Sequence, residues 1–159
     1  SDKKIQKEEF ITMDFGAYYE GYVSDITRTV YYGNNITDRH KEIYNTVLEA
    51  QLLGIETIKE GVMSDEVDKV VRNFFNEKGY GKYFGHGLGH GIGAEIHELP
   101  YLSSASQIEL KENMVVTSEP GLYFDGWGGV RIEDDVVVKK DGREVLNKSN
   151  KELIIIEAK

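Results

Sequence analysis

The stretch Met114-Val115-Val116-Thr117-Ser118-Glu119-Pro120-Gly121-Leu122-Tyr123-Phe124-Asp125-Gly126-Trp127-Gly128-Gly129-Val130-Arg131-Ile132-Glu133-Asp134-Asp135-Val136-Val137-Val138 decides the fold. Met114 to Thr117 and Val130 to Val138 carry the β-branched residues of strands, and Asp125 to Gly129 between them is a run of turn formers, so an antiparallel hairpin is predicted. Paired residues in a hairpin share a constant index sum. Glu119 and Glu133 sum to 252, which centres the turn on Gly126 and sets the two carboxylates face to face.

A second stretch, Phe10 to Tyr32, is rich in Ile, Thr, Tyr, Phe and Val, with Glu20-Gly21 near its middle, and reads as another hairpin. Asp14 and Asp25, with index sum 39, face each other there if the turn centres between Tyr19 and Glu20. Facing like charges destabilise a sheet unless a cation intervenes. Asp14 also stands in Ile11-Thr12-Met13-Asp14-Phe15, which reads as buried, where a carboxylate needs a partner. Four carboxylates with one imidazole suit a pair of divalent cations, because oxygen ligands select magnesium, calcium or manganese while imidazole admits zinc, cobalt or iron. A dinuclear site follows if the hairpins converge. A bulge or one-residue slip would turn a carboxylate to the other face, so the residues alone leave a solvated pair and a metal pair both open.

Between the hairpins, apolar residues at helical spacing run from Thr37, a candidate N-cap, to Gly61, a candidate stop. A second amphipathic helix fits Ser64, as its cap, to Lys78, with Gly79 ending it. Both helices read as scaffold without a convergent polar face. Leu153 to Ile156 reads as a last strand, and the order of strands, two helices and strands predicts an α+β fold with an antiparallel sheet. Nothing marks an internal boundary, so residues 1–159 read as one domain.

The histidines concentrate in Gly85-His86-Gly87-Leu88-Gly89-His90-Gly91-Ile92-Gly93 and at His97, among glycines that allow close backbone approach to a ligand. His86, His90 and His97 are the functional candidates, and His40, on the polar side of the first helix, reads as structural. Four familiar chemistries lack their motifs. His97-Glu98 lacks the second His of a zinc helix, Gly89 to Ala94 lacks the strand and helix of a dinucleotide fingerprint, and no nucleophile elbow or phosphate loop occurs.

The 159 residues include 19 Lys and Arg against 28 Asp and Glu, a formal charge of −9, which argues against nucleic acid as a partner. With 40% apolar residues the chain can bury a core. No run is long and apolar enough for a membrane span, and no signal-peptide pattern follows the polar start, so a cytoplasmic location is expected. The absence of cysteine removes disulfides, thiolate metal sites and Cys nucleophiles.

Taken together, Asp14-Phe15-Gly16-Ala17, Gly21-Tyr22-Val23-Ser24-Asp25-Ile26-Thr27-Arg28-Thr29, Gly87 to Gly93, Ile96-His97-Glu98-Leu99-Pro100, Ser118-Glu119-Pro120-Gly121 and Gly129-Val130-Arg131-Ile132-Glu133-Asp134 resemble the pita-bread (creatinase/aminopeptidase-like) metallopeptidases over almost the whole chain. The Gly-Val-Arg-Ile-Glu-Asp block is similar to the proline-specific branch, Xaa-Pro dipeptidase (prolidase) and aminopeptidase P. The resemblance implies a curved antiparallel sheet with flanking helices. It also implies five ligands for two divalent metal ions, Asp14, Asp25, His90, Glu119 and Glu133, with Asp25 and Glu133 bridging and manganese ahead of cobalt or zinc. Glu119 is then the catalytic proton carrier, His86 and His97 contact the substrate and its tetrahedral intermediate, and Arg131 is the basic residue near Glu133. The implied reaction is hydrolysis of the peptide bond before proline in a small peptide with proline second, by a dipeptidase or by an aminopeptidase acting on longer peptides. A non-catalytic binding module of the same fold and a creatinase-like hydrolase of a small non-peptide are the rivals. Family members carry further sequence before the Asp-Phe-Gly strand, so the chain is expected to be an N-terminally incomplete fold whose exposed sheet favours pairing as a homodimer.

Overall fold

The computed structural model describes residues 2–159. The first hairpin comprises β1 (Glu9–Phe15), the short strands β2 (Tyr18–Tyr19) and β3 (Tyr22–Val23), and β4 (Ile26–Tyr32). Helices α1 (Asp38–Thr57) and α2 (Ser64–Glu77) follow. The chain continues with β5 (Gly89–Gly91), β6 (Glu98–Leu102), β7 (Val115–Ser118), β8 (Gly121–Phe124), β9 (Gly128–Arg131), β10 (Asp134–Lys139), β11 (Gly142–Val145) and β12 (Ile154–Ile156). Strands β11-β10-β7-β5-β6 form one sheet and β1-β4-β12 another, with β2-β3 and β8-β9 as two-stranded ladders. The architecture is α+β, as expected, and no described helix is long and apolar enough to cross a membrane.

The 114–138 hairpin keeps its predicted register. Gly121 pairs with Arg131 and Phe124 with Gly128 in β8-β9, and Ser118 pairs with Asp134 and Val115 with Val137 in β7-β10, all at index sum 252. The first hairpin corrects the expectation. Its pairs run from Glu9↔Tyr32 to Phe15↔Ile26 and on to Tyr19↔Tyr22, an index sum of 41 rather than 39, so Asp14 faces Thr27 and Asp25 stands diagonal to it. The cause is the turn: Glu20 (φ 49°) and Gly21 (φ 89°) both adopt the left-handed region, so they form the two-residue loop of a tight hairpin and move the centre one position along the chain. A shift of two in the sum preserves side-chain parity, and both carboxylates stay on one face.

The helices close over the five-stranded sheet. Ile43, Tyr44, Val47 and Ala50 of α1 and Val67, Val71 and Phe75 of α2 are buried against Leu88, Leu102, Val116, Val136 and Val138. Each such large side chain contributes about 1.5–3 kcal/mol of transfer free energy. Thr37 is the N-cap of α1, as predicted, and its Oγ1 accepts from His40 N–H. For α2 the cap is Met63 rather than Ser64. Ser64 is drawn inward instead, its hydroxyl donating to Ser106 O and accepting from Ile108 N–H. The helices are also more than apolar scaffold. From α1 the fully buried Gln51 donates to Asp134 Oδ2 at 2.8 Å, and from α2 the fully buried Asp68 accepts Leu88 N–H at 3.0 Å and pairs with Arg72.

Two departures concern strands. The Gly-His run yields β5, which pairs with β6 and β7, although glycine has poor strand propensity. Close approach explains it: a Cβ on Gly89 would lie 2.1 Å from Thr117 O, and one on Gly91 would lie 2.5 Å from Leu99 O. The other departure is β12, which pairs with β4 in parallel, against the expectation of a wholly antiparallel sheet.

Candidate metal centre

The two hairpins converge. Buried Asp25 enters from the break between β3 and β4, buried Glu133 from between β9 and β10, and buried His90 from β5. One ligand atom from each lies within 4.8 Å of the other two, a group that could hold a metal ion. Glu119, between β7 and β8, brings Oε1 to 3.3 Å from His90 Nε2, and Asp25 Oδ2 is 3.9 Å from the same nitrogen. His90 Nδ1–H donates to Gly91 O at 3.0 Å, which aims Nε2 at the carboxylates.

Electrostatics without a metal are unfavourable here. Burial, then the charges of Asp14 and Glu119, push the Asp25 carboxyl above its usual range. Burial, then Glu119, Asp25 and Asp14, push Glu133 up to about 8, although the Thr27 hydroxyl donates to it. His90 responds in the opposite sense: burial opposes its charge, but Glu119, Gly91 O and Glu133 together raise it to about 9. Crowded buried carboxylates around one imidazole are the charge pattern that divalent cations relieve, and the all-oxygen-plus-nitrogen donor set fits hard or borderline ions.

Asp14 is not one of the three residues whose ligand atoms converge. Its side chain is 52% exposed rather than buried, and Oδ2 accepts from an Arg131 terminal nitrogen at 2.5 Å. Arg131 also donates from Nε to Thr27 Oγ1 at 3.1 Å, and Thr27 donates in turn to Glu133 Oε2 at 2.5 Å. Its remaining nitrogen donates to Tyr123 OH at 3.0 Å. Tyr123 OH is 3.0 Å from His86 Nε2, and His86 Nδ1–H donates to Gly87 O, so a single chain of bonds runs from Asp14 through Arg131 and Tyr123 to His86. His97 is exposed just before β6, with its ring centroid 4.4 Å from that of His90.

A cavity of about 430 Å³ opens here, lined on its functional side by Asp14, His86, His90, Glu119 and Arg131. Tyr101 and Ser103, which also line it, were not anticipated, nor were Thr27, Thr117, Tyr123 and Asp135 around the centre. Thr117 links two candidates, its hydroxyl accepting from His90 N–H and donating to Glu119 Oε1, both at 3.1 Å. Parity along β4 could have revealed Thr27, which alternates onto the face of Asp25 and Thr29. Tyr123 carried no such signal, because its partners come from β9 and the loop before β5. His40 is structural, as read: it stacks on Trp127 at 4.9 Å, and burial, then Arg39, lower its pKa.

Behind the centre lies a second charged layer. Arg28 is buried and donates to Glu133 O at 2.6 Å, Thr27 O at 2.9 Å and Asp134 Oδ1 at 2.7 Å. Asp134, fully buried, also receives Lys151 Nζ at 2.6 Å.

Residues 1–140 match the model of Metallopeptidase family M24. An Xaa-Pro dipeptidase of Pyrococcus horikoshii is 47% identical over 154 residues, 97% of this chain and 44% of the relative. Among solved structures, an Xaa-Pro dipeptidase from Bacillus anthracis superposes with a TM-score of 0.94 at 56% identity, covering 98% of this chain and 44% of that one. An X-Pro aminopeptidase from Thermotoga maritima superposes with a TM-score of 0.94 at 46% identity and the same coverage. The chain thus spans under half the length of the proteins it matches. With the family model covering most of the chain and the pita-bread neighbours matching nearly all of it, this chain belongs to metallopeptidase family M24.

Proposed function

We propose that residues 1–159 form one catalytic domain of a peptidase that hydrolyses the bond preceding proline, with Xaa-Pro dipeptide as the leading substrate. The observation that carries this reading is the convergence of Asp25, His90 and Glu133 within 4.8 Å beside the cavity that Glu119 and His86 line. On this reading Asp14, Asp25, His90, Glu119 and Glu133 hold two divalent ions, manganese ahead of cobalt or zinc. Bound there, the ions would supply Lewis-acid polarisation of the scissile carbonyl and lower the pKa of a water.

The chain's own residues do the rest. Glu119, whose Oε1 is already oriented by Thr117, takes the proton of the attacking water and delivers it to the departing proline nitrogen. That nitrogen carries no hydrogen in an Xaa-Pro bond, so it must be protonated in the site as the C–N bond breaks. His97 donates to the oxygen that gains charge, and His86 contacts the substrate beside it. Arg131 holds Asp14 and, through Thr27, Glu133.

An aminopeptidase acting on longer peptides is the second reading, and one observation favours it. Among the described residues lining the cavity, Arg131 is the one permanent cation, and its nitrogens are engaged by Thr27, Tyr123 and Asp14. Among these residues a dipeptide's terminal carboxylate would have to share Arg131 with Asp14, a competition that a longer peptide avoids. A cytoplasmic location and pairing as a homodimer belong to the same proposal.

The test compares metal content after dialysis against manganese, then cleavage of Ala-Pro and of a longer Xaa-Pro-led peptide. Wild type is expected to retain manganese while Asp25→Ala and Glu133→Ala lose it. Equal retention by all three overturns the metal reading.

A further inference from the structure

Asp25 occupies a break in the first hairpin. Ser24 and Asp25 belong to neither β3 nor β4, and across from them a Cβ on Gly16 would lie 1.9 Å from Ser24 O. Asp25 is nevertheless buried, so its backbone N–H and C=O need partners that no ladder supplies.

Both partners come from the far end of the sequence. Asp25 N–H donates to Asp135 Oδ2 at 3.0 Å. Asn147 Nδ2 donates to Asp25 O at 3.3 Å, and Asp135 N–H donates to Asn147 Oδ1 at 2.5 Å, which closes a ring of three residues. Leu146 N–H donates to Asp135 O at 2.9 Å and fixes the segment that carries Asn147.

We propose that Asn147 is a positioning residue for the metal centre, holding the backbone of Asp25, and with it the carboxylate, at the distance from His90 and Glu133 that a cation requires. The proposal rests on the reading of Asp25 as a ligand. Asn147 lies beyond residues 1–140 that match the family model, and it does not line the cavity. An amide side chain suits the place because it donates and accepts at once: its NH₂ serves Asp25 and its oxygen serves Asp135. Aspartate keeps only the second bond, and alanine keeps neither. Side chains that orient a ligand typically change metal affinity by about 10- to 100-fold when removed.

The experiment titrates the metal-free full chain with cobalt(II), reading affinity by calorimetry and ligand geometry by the visible absorption of the cobalt, with far-ultraviolet circular dichroism as the folding control. Asn147→Ala and Asn147→Asp are each expected to fold, to bind cobalt about 10-fold or more weakly, and to show an altered absorption band, which a change in global stability alone would not produce. Binding within twofold of wild type and an unchanged band in Asn147→Asp overturn the proposal, and that variant decides if Asn147→Ala does not fold. Asp25→Ala separates the two levels. If it binds cobalt like wild type, the ligand reading has failed; if it loses cobalt while the Asn147 variants do not, only the positioning role has failed.

Discussion

The two hairpins hold their buried carboxylates in similar gaps but with different partners. From Val115 to Val137 one register runs through two ladders, and Glu119 and Glu133 sit at the seam between β7-β10 and β8-β9 with paired residues on either side. In the first hairpin one register likewise runs through two ladders, with Asp25 in the gap between them, and Asp14 lies on an exposed arm held by Arg131. Glu133 is fixed by burial and by the first hairpin, its N–H donating to Thr27 O and its carbonyl accepting from Arg28, whereas the backbone of Asp25 is held by the side chains of Asp135 and Asn147. Ligand geometry rests on contacts between the hairpins in the one and on side chains from the C-terminal segment in the other.

The sharpest way to break this comparison is to remove one carboxylate from each hairpin. Glu133→Ala is expected to weaken manganese binding by at least about 100-fold and Asp14→Ala by at least about 10-fold, the range for losing a ligand's supporting residue serving as the lower bound, read by calorimetric titration. Equal losses would mean that the exposed arm is as well organised as the buried one.

Stability offers the next contrast. Arg28→Ala leaves Asp134 and two carbonyls of the long hairpin's support without their buried guanidinium, and should cost about 3 kcal/mol in urea unfolding, because a buried ion stripped of a partner is strongly destabilising. Arg131→Ala breaks a pair whose acidic partner is half exposed, and the loss of that pair should cost about 1 kcal/mol or less. A reversed order would show that the layer behind the centre matters less than the bonds at its mouth.

A smaller effect sharpens the account of the first hairpin's outer end. Donation from the Tyr31 hydroxyl, then from Asn34 and Asn35 N–H, lowers the Glu8 carboxyl to about 2, and its stabilising contribution is present above its usual value of 4.5. That contribution is lost as pH falls from there through about 2. Glu8→Gln should therefore flatten the fall in thermal midpoint over this acid range, measured by calorimetry on the metal-free chain. An unchanged acid slope would assign the loss to other carboxylates.

What was legible in the sequence follows the same division. Where burial and turn chemistry agree, as from Met114 to Val138, residue spacing alone places Glu119 opposite Glu133. Glu20-Gly21 was visible too, but its left-handed pair of residues fixes the turn centre one position beyond the one that sets Asp14 opposite Asp25. β5 was hidden because Gly89 and Gly91 pack against Thr117 and Leu99 by lacking side chains, a tertiary requirement that looks locally like a loop. Asn147 and Lys151 could not be read at all. Among their partners, Asp25 and Gln51 lie a hundred residues or more away, and neither residue stands in a pattern of its own.

The constant index sum of the long hairpin has a practical corollary. A residue inserted in either arm between the turn and Ser118 or Asp134 would rotate Glu119 or Glu133 to the opposite face, while residues added at Gly126, whose surroundings are open, leave every pair untouched. Length variation is thereby confined to the tip, and the tip becomes the natural attachment point for a fluorescent label that reports on the centre from outside it.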